Sequence, residues 1–293
     1  MDVLSTLEID RWEGPFSEDN QVRAVEALEA GRLLYLPRLS FAIGDAERRF
    51  LSPDWSNGKA KNISYDPSQG RLRGTTSHGP DREALHVLVA RYATMTRQLL
   101  EALLPKYRSH LIQARTSFRP VDAAGRPSSI NQDDSRLHPD AFNSRPTRGL
   151  RILRVFSNVN PEGQPRVWRV GEPFEAMARQ ILPTVRPPLP GVNVLLAMLR
   201  ITKGRRTLYD SVMLQLHNRV KANQTYQDHA PQATLSLAAG STWIVFTDQV
   251  LHAVLSGQYL LEQTFHLPVE ALCRPELSPL RVLEQLSGRV LVE

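Results

Sequence analysis

The sequence predicts a mixed α+β protein in which a helical N-terminal region leads into a β-rich core. Two observations carry this. Between residues 81 and 107, apolar side chains recur at helical spacing, at Leu85, Leu88, Val89, Tyr92, Leu99 and Leu103. Beyond residue 111 the texture changes to short β-branched or aromatic runs, each ended by Gly, Pro or Asn, the pattern of a sandwich or barrel. At 293 residues the chain is long enough for one large core, and a single domain is expected.

Taken in order, "SEDNQVRAVEALEAG" (17–31) opens on capping residues, places Val22, Val25 and Leu28 on one face and stops at Gly31, so it reads as a short helix. "RLLYLP" reads as a strand. The stretch 52–81 is rich in Gly, Ser and Pro and reads as a long loop. The long amphipathic helix follows, completing a mainly helical region over residues 1–110. Strands are expected in "RTSFRP", "GLRILRVFSNVNP", "ATLSLAAG", "STWIVFTDQV", "LHAVLSG" and "QYLLEQTFHLP", which together span a core from 111 to 270. A helical insert at about 173–222 interrupts them. It comprises "PFEAMARQIL" and a second region from about Val192 to Ala222, separated by the proline cluster "RPPLPG". "LSPLRVLEQLSG" closes the chain as a helix within 271–293.

Composition narrows the function classes. The one cysteine, Cys273, excludes an internal disulfide, a Cys-based zinc site and an Fe–S cluster. The N-terminus lacks the basic-then-apolar layout of a signal peptide, so a reducing, cytoplasmic location is expected. The longest apolar run, "VNVLLAML", is too short to span a bilayer. A net charge of +6 suits an anionic partner. The basic residues are nevertheless spread along the chain, without a zinc-finger, RNP or KH pattern, so nucleic acid is not expected. "VNVLLAMLRITKGRRTLYDSVM" combines an apolar patch with "KGRR", the composition of a segment able to lie on anionic lipid.

The chemistry centres on "RLHPDAF". Residues i and i+2 of an extended segment point the same way, so His138 and Asp140 can reach one ion together. A His-x-Asp alone is common by chance. His252, over a hundred positions later between two strand-like runs, supplies a second imidazole. Two histidines and a carboxylate form the facial triad that leaves positions open on Fe(II) for a bidentate 2-oxo acid and O₂. His266, near a strand end, is the rival third ligand. His78, His86, His110, His217 and His229 fall in loop or helical contexts. Asp248, four residues before His252, is a candidate to orient that ring. Trp243 reads as core and Cys273 as a bystander.

"RLHPDAF", "SRPTRGLRILRVFSNVNP" and "TDQVLHAVLSGQYLLEQTFHLP" together resemble the Kdo hydroxylase family of Fe(II)- and 2-oxoglutarate-dependent dioxygenases, over about residues 111–270. The resemblance implies a double-stranded β-helix (jelly-roll) core carrying the N-terminal helical region and the inserts. It makes His138, Asp140 and His252 the iron ligands and catalytic centre, with 2-oxoglutarate and O₂ as cosubstrates. The substrate it implies is Kdo in a Kdo-containing lipid A precursor of Gram-negative lipopolysaccharide, hydroxylated at C3 by an enzyme at the inner face of the inner membrane.

Many enzymes of the wider superfamily hold 2-oxoglutarate with an arginine about ten residues after the distal histidine. Here that segment offers Glu262 and Gln263 instead. A buried carboxylate still needs a guanidinium partner. Arg154 is the first candidate, because it shares one strand face with Ile152 and Phe156 while Leu153 and Val155 occupy the other. Arg119 is the second, and Thr264 offers a hydroxyl. Arg136, Arg145 and Arg148 flank the His-x-Asp and are candidates for Kdo carboxylates or lipid phosphates. The alternative is a non-catalytic jelly-roll module that binds a sugar acid or anionic lipid.

Overall fold

The computed structural model describes residues 1–60, 62–124, 129–186, 193, 197–199 and 201–292. Helix α1 (Glu18–Glu29) starts where the Ser17 side chain accepts from Asn20 N–H at 3.2 Å, and the chain leaves it through Gly31 at φ +76°, a conformation that costs glycine little. Helix α2 (Gly79–Leu103) buries the whole predicted stripe. Further on come α3 (Phe174–Ile181), α4 (Leu208–Ala222), α5 (Gln224–His229) and α6 (Pro279–Ser287). The proline cluster after Arg186 and half of the apolar run 192–199 lie outside the described residues.

The strands are β1 (Leu4–Thr6), β2 (Leu33–Leu36), β3 (Ile63–Asp66), β4 (Arg71–Arg73), β5 (Ile112–Arg119), β6 (Arg151–Asn158), β7 (Arg166–Gly171), β8 (Gln232–Leu237), β9 (Thr242–Phe246), β10 (His252–Ser256) and β11 (Leu260–Leu267). Eight form a large sheet in the order β1-β2-β9-β6-β11-β5-β3-β4, and three form a small one, β10-β7-β8. Side-chain alternation gives the large sheet two kinds of face. Leu153, Val155, Leu261 and Phe265 join a core with α1 and α2. Phe156, Trp243, Val245 and Leu260 point the other way and pack on Trp168, Val170, Leu237 and Val254 of the small sheet.

The N-terminal region departs from the sequence expectation. The described residues of 1–110 contribute four strands to the large sheet as well as two helices; β2 is the strand expected from "RLLYLP", whereas β1 was not expected and the predicted long loop at 52–81 contains β3 and β4. The unexpected strands are only three or four residues long, too short to show a period by themselves. β3 forms on the edge that β5 offers and receives β4 in turn, while β1 adds to β2, which lies on β9; such tertiary pairing overrides local propensity.

Candidate metal centre

The His-x-Asp segment is fixed in place from several directions. His138 N–H donates to the His252 carbonyl at 3.1 Å and His252 N–H donates back at 3.0 Å, a two-bond bridge between the segment and the start of β10. Asp140 N–H donates to Thr247 O at 2.7 Å. From the helical insert, Gln227 of α5 accepts from Leu137 N–H and donates to Leu137 O, and His217 of α4 donates from Nδ1 to Pro139 O at 2.8 Å. Every backbone group from Leu137 to Asp140 named here is therefore tied to a different part of the fold, which leaves the two side chains little room to wander.

His138, Asp140 and His252 each present one ligand atom, and these atoms lie within 4.8 Å of one another. The imidazoles are set for coordination. Nδ1 of His138 sits 2.7 Å from Arg136 O and Nδ1 of His252 sits 2.9 Å from Val250 O. A carbonyl can only accept, so each proton is held on Nδ1 and each Nε2 keeps its lone pair. Burial pushes both imidazole pKa values down, that of His138 further because His252, Lys221 and His217 add positive charge nearby. Burial opposes ionisation of Asp140, but Arg154, then His252 and His138, hold its carboxyl below the ordinary carboxylate range. Two neutral imidazoles and one ionised carboxylate are a donor set that fits a divalent transition metal.

The triad opens into a cavity of about 200 Å³ whose polar wall includes Arg119, Asp134, Arg154, Arg166 and Trp168. Arg154 spans two carboxylates, with Nη2 3.0 Å from Asp140 Oδ2 and Nη1 3.1 Å from Glu262 Oε1. Glu262 also accepts from Arg119, whose other arm lies 3.7 Å from Asp134. Burial works against the Glu262 carboxylate, yet the Arg119 and Arg154 guanidiniums keep its pKa below the usual value. Arg166 differs. It is 2% exposed and donates to Gly257 O at 2.6 Å, but among the described residues it makes no ion pair. Burial and the nearby Arg119 lower its pKa to about 9. The buried Nε atoms of Arg119 and Arg166 and the indole Nε1 of Trp168 have no hydrogen-bond partner. A cavity walled by unsatisfied buried donors fits an anion with several acceptor oxygens.

The other sequence candidates are dispersed. Thr264 and Arg145 line a groove of about 360 Å³ that shares Arg119, Phe142 and Arg154 with the cavity. Arg136 turns away, donating to Lys221 O and Gln224 Oε1. Arg148 is exposed, and its backbone N–H donates to Asp210 at 3.0 Å. His266 is no part of the triad: its Nδ1 meets Arg151 O at 3.2 Å and its ring lines the groove. Asp248 does not orient His252, because it is committed to Arg151, Oδ2 to Nε at 2.7 Å, in a pair 1–2% exposed. Arg166 and Trp168 were not anticipated. "RVWRVG", a β-branched and aromatic run between Pro165 and Gly171, carries the signal of a strand with Arg166 and Trp168 on one face.

Residues 11–290 match the family model described as 3-deoxy-D-manno-oct-2-ulosonic acid (Kdo) hydroxylase. The chain belongs to the Kdo hydroxylase family. It is similar to the crystal structure of the Kdo hydroxylase KdoO, a non-heme Fe(II) alphaketoglutarate dependent dioxygenase, in complex with alphaketoglutarate and Fe(III). The two share 50% identity, with 99% of this chain and 97% of that one covered and a TM-score of 0.96. The same enzyme in complex with cobalt(II) aligns at 51% identity over the same shares, with a TM-score of 0.97. Its complex with succinate and Fe(III) aligns at 50% identity and a TM-score of 0.96. No curated protein sequence matches. As a Kdo hydroxylase family member, the chain keeps its buried His-Asp-His cluster within the segment that the family model covers.

Proposed function

We propose that this chain is an Fe(II)- and 2-oxoglutarate-dependent dioxygenase that hydroxylates C3 of Kdo in a Kdo-lipid A precursor. The observation that carries this reading is the buried, correctly protonated His138, Asp140, His252 cluster opening onto a cavity of unsatisfied donors. The two packed sheets are read as the halves of a double-stranded β-helix, a fold that puts both ligand-bearing segments at one mouth.

His138 Nε2, His252 Nε2 and the Asp140 carboxylate would hold Fe(II). Bound there with 2-oxoglutarate and O₂, the metal supplies the oxidising power for C–H hydroxylation, with the cosubstrate leaving as succinate and CO₂. The protein's own contribution is placement. Arg166 is assigned the distal carboxylate of 2-oxoglutarate, with Arg119 beside it and the Trp168 indole as a further donor. Arg154 is already matched by Asp140 and Glu262, so its assigned work is to fix the ligand carboxylate and to meet the substrate where cavity and groove join. Phe156, Val254 and Leu260 give the cavity an apolar side, which strengthens every charge contact inside it. Thr264 faces the groove and is assigned to the sugar rather than to the cosubstrate.

Attachment to an anionic membrane is proposed from Met198, Leu199 and Ile201, 76%, 60% and 57% exposed, followed by Lys203, Arg205 and Arg206. Among the described residues no helix is long and apolar enough to cross a bilayer.

The activity is tested with purified protein, Fe(II), ascorbate, 2-oxoglutarate and Kdo-lipid A. Succinate release and a one-oxygen mass gain on the sugar are expected, both abolished by His138→Ala. Succinate formation that His138→Ala leaves intact removes the proposed iron site.

A further inference from the structure

The groove beside the metal cavity has an end that the chemistry above does not use. Strand β5 enters the site with Arg119 and Ser117 facing inward, and strict alternation would point Arg115 and Gln113 the same way. The pairing with β11 breaks this pattern. Gln263 pairs with Thr116 and Phe265 with Gln113, so Ala114 and Arg115 together face the single residue Thr264 in a β-bulge. The bulge sends Gln113 outward, where its side chain donates to Ala93 O of α2 at 2.8 Å, and leaves Ala114 and Arg115 both lining the groove.

Arg145, from the segment after the His-x-Asp, lines the same groove. The two cations are close enough that Arg145, after burial, is the main influence lowering the Arg115 pKa. Their compensation is thin, and it comes from Asp66, whose carboxylate both guanidiniums stabilise. The nearest carboxylate to Arg115 is Asp66 at 3.9 Å, and the buried Arg115 Nε has no hydrogen-bond partner. Arg145 makes no ion pair or hydrogen bond among the described residues. Two neighbouring, under-compensated guanidiniums lining one groove are the chemistry of an oxyanion receptor.

We propose that Arg115 and Arg145 form a second anion subsite that binds a carboxylate or phosphate of the substrate lying beyond the reacting sugar. This rests on the Kdo hydroxylase reading. In a 3-deoxy-2-ulosonic acid the carboxyl carbon is two bonds from C3, so the reacting sugar's own carboxylate stays at the Arg119 and Arg154 end while C3 faces the metal. The outer pair serves a different anion, either the carboxylate of an adjacent sugar acid or a lipid A phosphate. It thereby selects a substrate larger than one sugar.

The test is equilibrium binding to cobalt(II)-loaded protein with 2-oxoglutarate present, which does not depend on turnover. Four probes are compared in detergent: lipid A carrying two Kdo units, the same molecule dephosphorylated, lipid A with one Kdo, and the methyl glycoside of Kdo. Arg115→Ala and Arg145→Gln are each expected to weaken binding of the two-Kdo lipid at least tenfold. The methyl glycoside and 2-oxoglutarate should change by less than twofold. If the dephosphorylated probe erases the difference between wild type and variants, the anion is a phosphate; if the one-Kdo probe does, it is a carboxylate. Equal losses on the methyl glycoside, or no loss on any probe, overturn the subsite. Cobalt affinity checks that each variant is folded, and Arg145→Gln, on a loop, supplies an answer if Arg115→Ala is not. Arginine-dependent binding without succinate release would uphold the subsite and overturn the activity.

Discussion

The Arg154 guanidinium stands 3.1 Å from Glu262, so the acidic residue at the position where the sequence would be searched for a cosubstrate-binding cation is itself a partner of two arginines. Glu262 is 4% exposed. Truncating one member of a buried ion-pair network leaves the others uncompensated. Glu262→Ala is therefore expected to lower unfolding stability by about 3–5 kcal/mol, and Glu262→Gln, which keeps a hydrogen-bond acceptor, by less. Urea unfolding of the three proteins compares them, and a Glu262→Ala midpoint equal to wild type would show that the network is not what holds Arg119 and Arg154.

Arg166 and Arg154 should separate cosubstrate binding from metal binding. Arg166→Met is expected to weaken 2-oxoglutarate binding about 10- to 100-fold, the range for losing a charge-assisted hydrogen bond to a buried carboxylate. Cobalt(II) affinity should stay within twofold. Arg154→Met removes the partner of Asp140 and should weaken the metal first. Titration calorimetry with each ligand gives both numbers, and the reverse pattern would exchange the two assignments.

The ligand set itself is separable from its rival. His138→Ala, Asp140→Ala or His252→Ala should each lower cobalt(II) affinity at least a hundredfold, whereas His266→Ala should leave it within twofold. Metal affinity that is sensitive to His266 would mean the ion sits in the groove.

Acid should destabilise the metal-free protein well before the carboxylates titrate. Burial lowers the pKa of His138, His217, His252 and His266 in the fold, while the unfolded chain protonates them near 6.5. Below that pH the unfolded state takes up protons that the native state refuses, so stability falls as pH falls, by up to ~1.4 kcal/mol per pH unit for each histidine. Asp140 and Glu262, depressed in the fold, add a loss of the same sign below about pH 4. Urea midpoints at pH 7.5 and 5.5 should show the drop; a flat profile would mean that these imidazoles are protonated in the fold.

Part of this site was legible in the sequence. His138 and Asp140 announce themselves by a two-residue spacing, and the alternation around Arg154 predicts a charged side chain among apolar neighbours. His266 and Asp248 could not be sorted from the real participants, because the partner that occupies each, Arg151, is more than ninety positions from either in the chain. Arg166 and Trp168 sit in a six-residue strand with an ordinary composition, and their importance comes from two donor atoms that the fold leaves unsatisfied, Arg166 Nε and Trp168 Nε1. Arg115 shares the face of Arg119 and Ser117 by simple alternation, but the register slip that turns Gln113 away and adds Ala114 to the groove has no signal in the sequence. The short strands β1, β3 and β4 exist only because neighbouring strands were there to receive them.

The reciprocal bridge between His138 and His252 also has a consequence for how the protein acquires its metal. The two residues are separated by more than a hundred positions, and closing a loop of that length costs about 4 kcal/mol in chain entropy before any contact is made. An unfolded or partly synthesised chain holds only the His138 and Asp140 half of the site. The ion therefore meets all three ligands only once that loop has closed. From then on it behaves as any ligand of the native state does, adding stability in proportion to the logarithm of its free concentration.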